Sequence, residues 1–107
     1  MFKEFQLTFP KPVADFVRSQ YSSSKCILEY GSGGSTIVAA SQGKRIITTE
    51  SSAQWLIELV GSCIEKGLPG KIVPIYVDIG ETGKWGFPVD TAKCKDWPKY
   101  PMTPWLY

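Results

Sequence analysis

Glu29, Glu50 and Asp78 each stand at or near the end of a short apolar run, and the first is followed at once by glycines. Gly31, Gly33 and Gly34 fall within "ILEYGSGGST", residues 27 to 36. Glycine permits positive φ and lets a ligand approach the main chain, and a helix starting just beyond such a turn offers free N–H groups to an anion or a carboxylate. Carboxylates at strand ends are acceptors for hydroxyl pairs and ammonium groups. Glu50 lies 19 residues after Gly31, near the ~20 at which an acid accepts hydrogen bonds from a ribose diol. Each position also has a plainer reading: a bare strand-to-helix turn, an exposed acid ahead of a helix start, and a strand-end turn residue. Their recurrence at three successive strand ends makes a constellation of them.

The ligand class can be narrowed. A dinucleotide turn of the G-x-G-x-x-G type needs its third glycine at position 36, where this chain has Thr36, and bulk there hinders close helix approach. Glu29, an acid two residues ahead of the first glycine, suits a ligand bearing an ammonium group or one contacted through water. No G-K-[ST] follows the glycines, which counts against a nucleoside triphosphate cradle. Histidine is absent, removing the commonest general base and metal ligand. Cys26, Cys63 and Cys94 are too few, too scattered and odd in number for a disulfide framework or a metal cluster. Each is expected to be a small buried or half-buried thiol, and no metal site is expected.

The elements that must position these residues alternate. "KPVADFVRSQY" carries Val13, Phe16, Val17 and Tyr21 on one helical face, with Pro12 suited to a first turn, and predicts a helix from about residue 11 to 20. "CILEY" is a short strand fit for burial on both faces. "STIVAASQG" reads as a helix closed by Gly43, and "KRIITTE" as the second strand. In the next helix Ser51 and Gln54 have capping-box spacing, Trp55, Leu59, Val60, Cys63 and Ile64 form the apolar stripe, and Gly67 supplies the stop. "KIVPIYVDI" is the third strand, and Pro74 favours an edge position or a bulge because it cannot donate to the ladder. A helix followed by β-α-β-α-β implies an α/β fold with a parallel sheet and right-handed crossovers. From Gly80 onward the stretch holds four prolines and three tryptophans and sustains neither period. Its aromatics must pack on this half sheet or on further protein.

At 107 residues the chain is at most one domain, and its 43% hydrophobic and 21% charged residues are ordinary for a globular protein. A net charge of +2 with interspersed signs provides no basic stripe, so nucleic acid is not indicated as a partner. No apolar run approaches the ~18 residues of a membrane span. "MFKEFQLTFPKP" lacks the apolar core of a secretory leader, which makes the cytoplasm the default location.

With "ILEYGSGGST", "ITTESS" and "YVDIG" standing at three successive strand ends, the chain resembles the class I S-adenosylmethionine-dependent methyltransferases. More narrowly, "LEYGSGGST" with "DIGETGKWGFPVD" is similar to a bacterial group of methyltransferase-like proteins. The resemblance runs from about Pro10 to Trp105. It implies that residues 1–79 are the N-terminal half of a Rossmann-like domain, with 80–107 an irregular tail or loop of the same domain. It also implies an S-adenosylmethionine site: Glu29, Gly31, Gly33 and Gly34 at the methionine end, Glu50 at the ribose, Asp78 and Ile79 at the adenine, with Ser32 and Ser51 also among the cofactor-binding residues. No catalytic residue is assigned. Thr82, Trp85 and Asp90 could shape a substrate site or order a loop, and the loop is preferred. The family sheet is longer than the three strands read here, so the expectation is a truncated methyltransferase of unknown acceptor. The alternative is a non-catalytic interaction module that oligomerises through the open edge of the first strand.

Overall fold

The computed structural model describes residues 2–107. A helix, α1 (Lys11–Ser22), leads into β1 (Cys26–Tyr30), α2 (Gly34–Ser41), β2 (Arg45–Glu50), α3 (Ala53–Glu65) and β3 (Lys71–Tyr76). The sheet is parallel with order β1-β2-β3, so β2 is central. Leu28 is opposite Ile47 and Ile47 opposite Val73. This is an α/β, Rossmann-like half fold, and Pro74 lies on the edge strand, where its missing N–H is tolerated. No helix is long and apolar enough to cross a membrane among the described residues.

Because the chain steps in one direction across the sheet, successive crossovers of the same hand put their helices on one face. Side chains alternate along each strand. Ile27 and Ile46 therefore face Ala39 and Ala40 of α2 and Cys63 of α3, with Ile72 beside them. Ile47, Ile75, Val77 and Ile79 form a second cluster on the opposite face. That face is covered by the end of the chain, where Trp97 and Tyr100 pack on the cluster and Pro104 is buried. The tail is less irregular than expected. It contains a small hairpin in which Thr82 pairs antiparallel with Pro88, the helix α4 (Lys99–Met102) and single 3-10 turns. Not all of its aromatics find cover, since Trp85 and Trp105 stay exposed.

Two helical faces differ from expectation. In α1, Val13 and Phe16 are exposed, while Ala14 is buried and Val17 and Tyr21 are half-buried. The covered stripe is therefore Ala14, Val17 and Tyr21, at the helical spacing i, i+3 and i+7. In α3 the cap is Ser52, not Ser51: its Oγ accepts from the Trp55 N–H at 3.2 Å. Ile64 is 74% exposed and Leu56 is buried in its stead. The cause is a partner that periodicity does not reveal. Residues 2 to 8 run over α3, where Phe5 packs with Leu56 and Leu59 and meets the Trp55 ring edge-on at 4.9 Å. The same segment crosses the start of α2 so closely that a Cβ at Gly34 would overlap the Gln6 carbonyl and the Leu7 nitrogen.

Below the sheet rim, α1, β1 and α2 are locked by one carboxylate. Glu29, only 6% exposed, accepts from Tyr21 Oη at 3.0 Å, Ser35 Oγ at 2.7 Å and Thr36 Oγ1 at 2.6 Å. Burial, reinforced by the Glu29 charge and the hydrogen bond to it, pushes the Tyr21 hydroxyl up to about 12.

Leu59→Ala is expected to lower unfolding stability by about 2–5 kcal/mol, whereas Ile64→Ala should change it by no more than about 0.5 kcal/mol; urea titrations of the two variants measure this. The folded chain also holds the Tyr21 proton more tightly than the unfolded chain does. That contribution is whole below about pH 10 and is lost as pH rises toward about 12. The fall in urea midpoint over this window should be shallower in Tyr21→Phe than in the wild type.

Candidate functional site

Gly31 leaves β1 with φ +82°, a left-handed backbone that a residue with a Cβ rarely adopts. Its N–H still donates to Thr49 O at 2.7 Å, so the turn begins as the last rung of the ladder. The next residue reaches across to β2. Ser32 N–H and Oγ–H both donate to Glu50 Oε2, at 2.9 and 3.0 Å, and the Ser51 N–H donates to Glu50 Oε1 at 3.0 Å. The glycine turn and the Glu50 carboxylate thus meet at the C-terminal rim of the sheet. Trp55, one turn into α3, closes the arrangement by donating its indole N–H to Ser32 O at 2.7 Å. Gly33 is extended, and its N–H is taken by Thr36 Oγ1 at 3.0 Å.

Above this rim lies a cleft of ≈ 970 Å³, at the upper end of the roughly 300–1,000 Å³ typical of small-molecule sites. Gly31, Ser32, Gly33, Gly34, Glu50, Ser51 and Ile79 all line it. Two of the expected site residues do not. Glu29 faces the helices beneath, where three side-chain hydroxyls occupy its carboxylate. Asp78 lies on a separate shallow surface beside Lys93, whose ammonium it pairs with; that hydrogen bond holds its carboxyl below the usual range. Its other carboxylate oxygen accepts the Gly80 N–H at 2.9 Å and shapes the turn.

Several walls of the cleft were not foreseen, and of the three residues for which a loop role was preferred, Thr82 and Trp85 line it while Asp90 does not. The N-terminal segment contributes Glu4, Phe5, Gln6 and Thr8; the hairpin after the third strand contributes Thr82, Trp85 and Phe87; the tail contributes Tyr100. The Tyr100 hydroxyl donates to Thr49 O at 3.2 Å, and burial next to the Glu50 charge pushes it up to about 12, so it is a neutral donor at physiological pH. A run of three small residues at 33–35 hints at a close backbone crossing, but no periodicity says which segment crosses. Glu4 and Glu50 are the charged residues in the lining, which includes no lysine or arginine. Such a wall receives hydroxyl donors and cations and repels phosphates. As a chemical set it is a buried, preoriented carboxylate beside a glycine-walled backbone turn, flanked by aromatic rings.

No protein-family model matches the sequence, and no curated protein matches it. Among solved structures the chain is similar to the crystal structure of a methyltransferase-like protein from Silicibacter pomeroyi DSS-3. The TM-score is 0.92 at 36% sequence identity, over 97% of this chain and 55% of the other. The chain therefore spans about half the length of that protein. The fold of this chain is methyltransferase-like.

Proposed function

We propose that the cleft binds S-adenosylmethionine and that the chain is the cofactor-binding half of a methyltransferase-like domain, of unknown acceptor. The observation that supports this most directly is Glu50. Its carboxylate is oriented by the Ser32 and Ser51 backbone N–H groups, and a carboxylate has about four acceptor positions. Once the Ser32 hydroxyl rotates away, acceptor positions remain for the hydroxyl pair of a ribose. The charge of the lining agrees: an adenosyl sulfonium brings no phosphate into a cleft whose charged groups are acids.

When bound, the cofactor supplies an electrophilic methyl group, and transfer to a nucleophile depends chiefly on alignment. The chain's own residues would hold it. Glu50 would accept from the ribose hydroxyls, the Gly31–Gly34 backbone would approach the amino-acid end, and Ile79, just beyond the end of β3, would contribute to the apolar wall. Glu29 would act from beneath by fixing the start of α2 through Ser35 and Thr36. A pyrophosphate-bearing dinucleotide fits less well, because the lining has no cation for it and Thr36 fills the third-glycine position.

Calorimetric titration with S-adenosylhomocysteine should give saturable heat in the wild-type protein, and Glu50→Ala should weaken binding roughly tenfold or more, as expected for a charge-assisted hydrogen-bond acceptor. Tighter binding of NAD than of the adenosyl compound, or no heat from the wild type, would reject the assignment.

A non-catalytic interaction module is the second reading. It is favoured by the outer edge of β1, which pairs with no strand among the described residues. Light scattering over a dilution series checks it. Self-association that disappears on dilution supports pairing through that edge, and a monomer at every concentration that unfolds cooperatively argues against it.

A further inference from the structure

The hairpin formed by residues 81 to 89 does more than connect. Gly83 N–H donates to Phe87 O at 2.8 Å and Val89 N–H to Glu81 O at 3.0 Å, and the tip is closed by Gly86 N–H on Gly83 O at 3.1 Å. At that tip Trp85 adopts φ 61°, ψ 19°, the one non-glycine residue at positive φ among those described. The conformation is disfavoured for any residue with a Cβ, and glycine, present on either side at Gly83 and Gly86, would be the default. The position instead carries the largest apolar side chain, 79% exposed and lining the cleft. Strain held in place by surrounding hydrogen bonds, together with an indole lacking apolar cover, points to a role in contacting a ligand.

The position of the tip indicates which part of a ligand. A Cβ at Gly86 would lie 3.8 Å from Ser51 Oγ, so the hairpin abuts the residue whose N–H orients the Glu50 carboxylate. A nucleoside held by its diol at Glu50 carries its base one glycosidic bond away. Ile79 and the hairpin residues Thr82, Trp85 and Phe87 line the same cleft as that carboxylate. An indole face stacks on planar heterocycles.

We propose that Trp85 is a ligand-contact residue whose indole covers the planar heteroaromatic base of an adenosyl compound, making the 81–89 hairpin the base-recognition wall of the cleft. The proposal rests on the adenosyl reading of the site and adds to it the group that selects the base.

The test compares wild type, Trp85→Gly and Trp85→Phe by titration with S-adenosylhomocysteine and, separately, with adenosine. Trp85→Gly relieves the left-handed strain, so its thermal midpoint should equal or exceed that of the wild type, and a loss of binding could not be ascribed to unfolding. Both ligands should bind Trp85→Gly about five- to a hundredfold more weakly, with Trp85→Phe in between because it keeps a stacking ring. Unchanged binding of both ligands to Trp85→Gly overturns the proposal while leaving the adenosyl site standing. Weakening of S-adenosylhomocysteine alone, with adenosine unaffected, also overturns it, since the contact would then be to the amino-acid end. If the wild type binds neither ligand, the adenosyl reading fails first and the proposal falls with it.

Discussion

A carboxylate taken out of water at the end of a central strand has to be met by donors, or its burial is strongly unfavourable. Glu50, 9% exposed, is met by the backbone of two different loops: Ser32 from the turn after β1 and Ser51 from the start of the segment leading into α3. The position of the glycine turn relative to β2 follows from that requirement, and so does the mouth of the cleft. Were Glu50 apolar, nothing in the strand ladder beyond Gly31 would hold the turn against its neighbour. Trp55 adds a second tie to the same residue, Ser32, from the helix above.

The two acids near the turn illustrate how environment separates similar residues. Glu29 and Glu50 share one face of the sheet, both nearly buried. Glu29 is met by side-chain hydroxyls of Tyr21, Ser35 and Thr36, which tie it to helices, and it becomes an internal strut. Glu50 is met mainly by backbone N–H groups at the rim and keeps a side toward the cleft. Position along the strand decides between them: two registers toward the helix-covered interior, or at the C-terminal rim where chains turn.

The cleft's outer walls come from the N-terminal segment, the 81–89 hairpin and the tail, outside the central sheet and its crossover helices. The N-terminal segment is held by Phe5 in a small apolar cluster and by Glu58 and Glu65 accepting from the Lys3 and Phe2 backbone. The 81–89 hairpin is held by its own ladder and by its abutment on Ser51. The tail is held by Trp97 and Tyr100 on the second sheet face, with the Trp97 indole donating to Ile79 O at 3.0 Å. A parallel sheet with connecting segments gathered around its ligand-facing rim is how α/β folds carry sites.

Alternation of strands and helices, the edge placement of Pro74, the glycine stops at 43 and 67 and the meeting of a glycine turn with an acid at the next strand end were legible in the amino-acid order, because local periodicity and backbone preference act over a few residues. Which side of a helix is buried was less so: Ile64 and Phe16 fit an apolar stripe as well as Leu56 and Ala14 do, and only the segment packed against each helix decides. Likewise Glu29, Glu50 and Asp78 look alike as strand-end acids, yet burial beside three hydroxyls, capture of two backbone N–H groups, and acceptance of the Gly80 N–H beside an ion pair with Lys93 make them a strut, a rim acceptor and a turn former. The sequence alone determined the elements and their order. The tertiary structure decided the partners, since hydrogen bonds and packing between residues tens of positions apart leave no periodic trace in the chain.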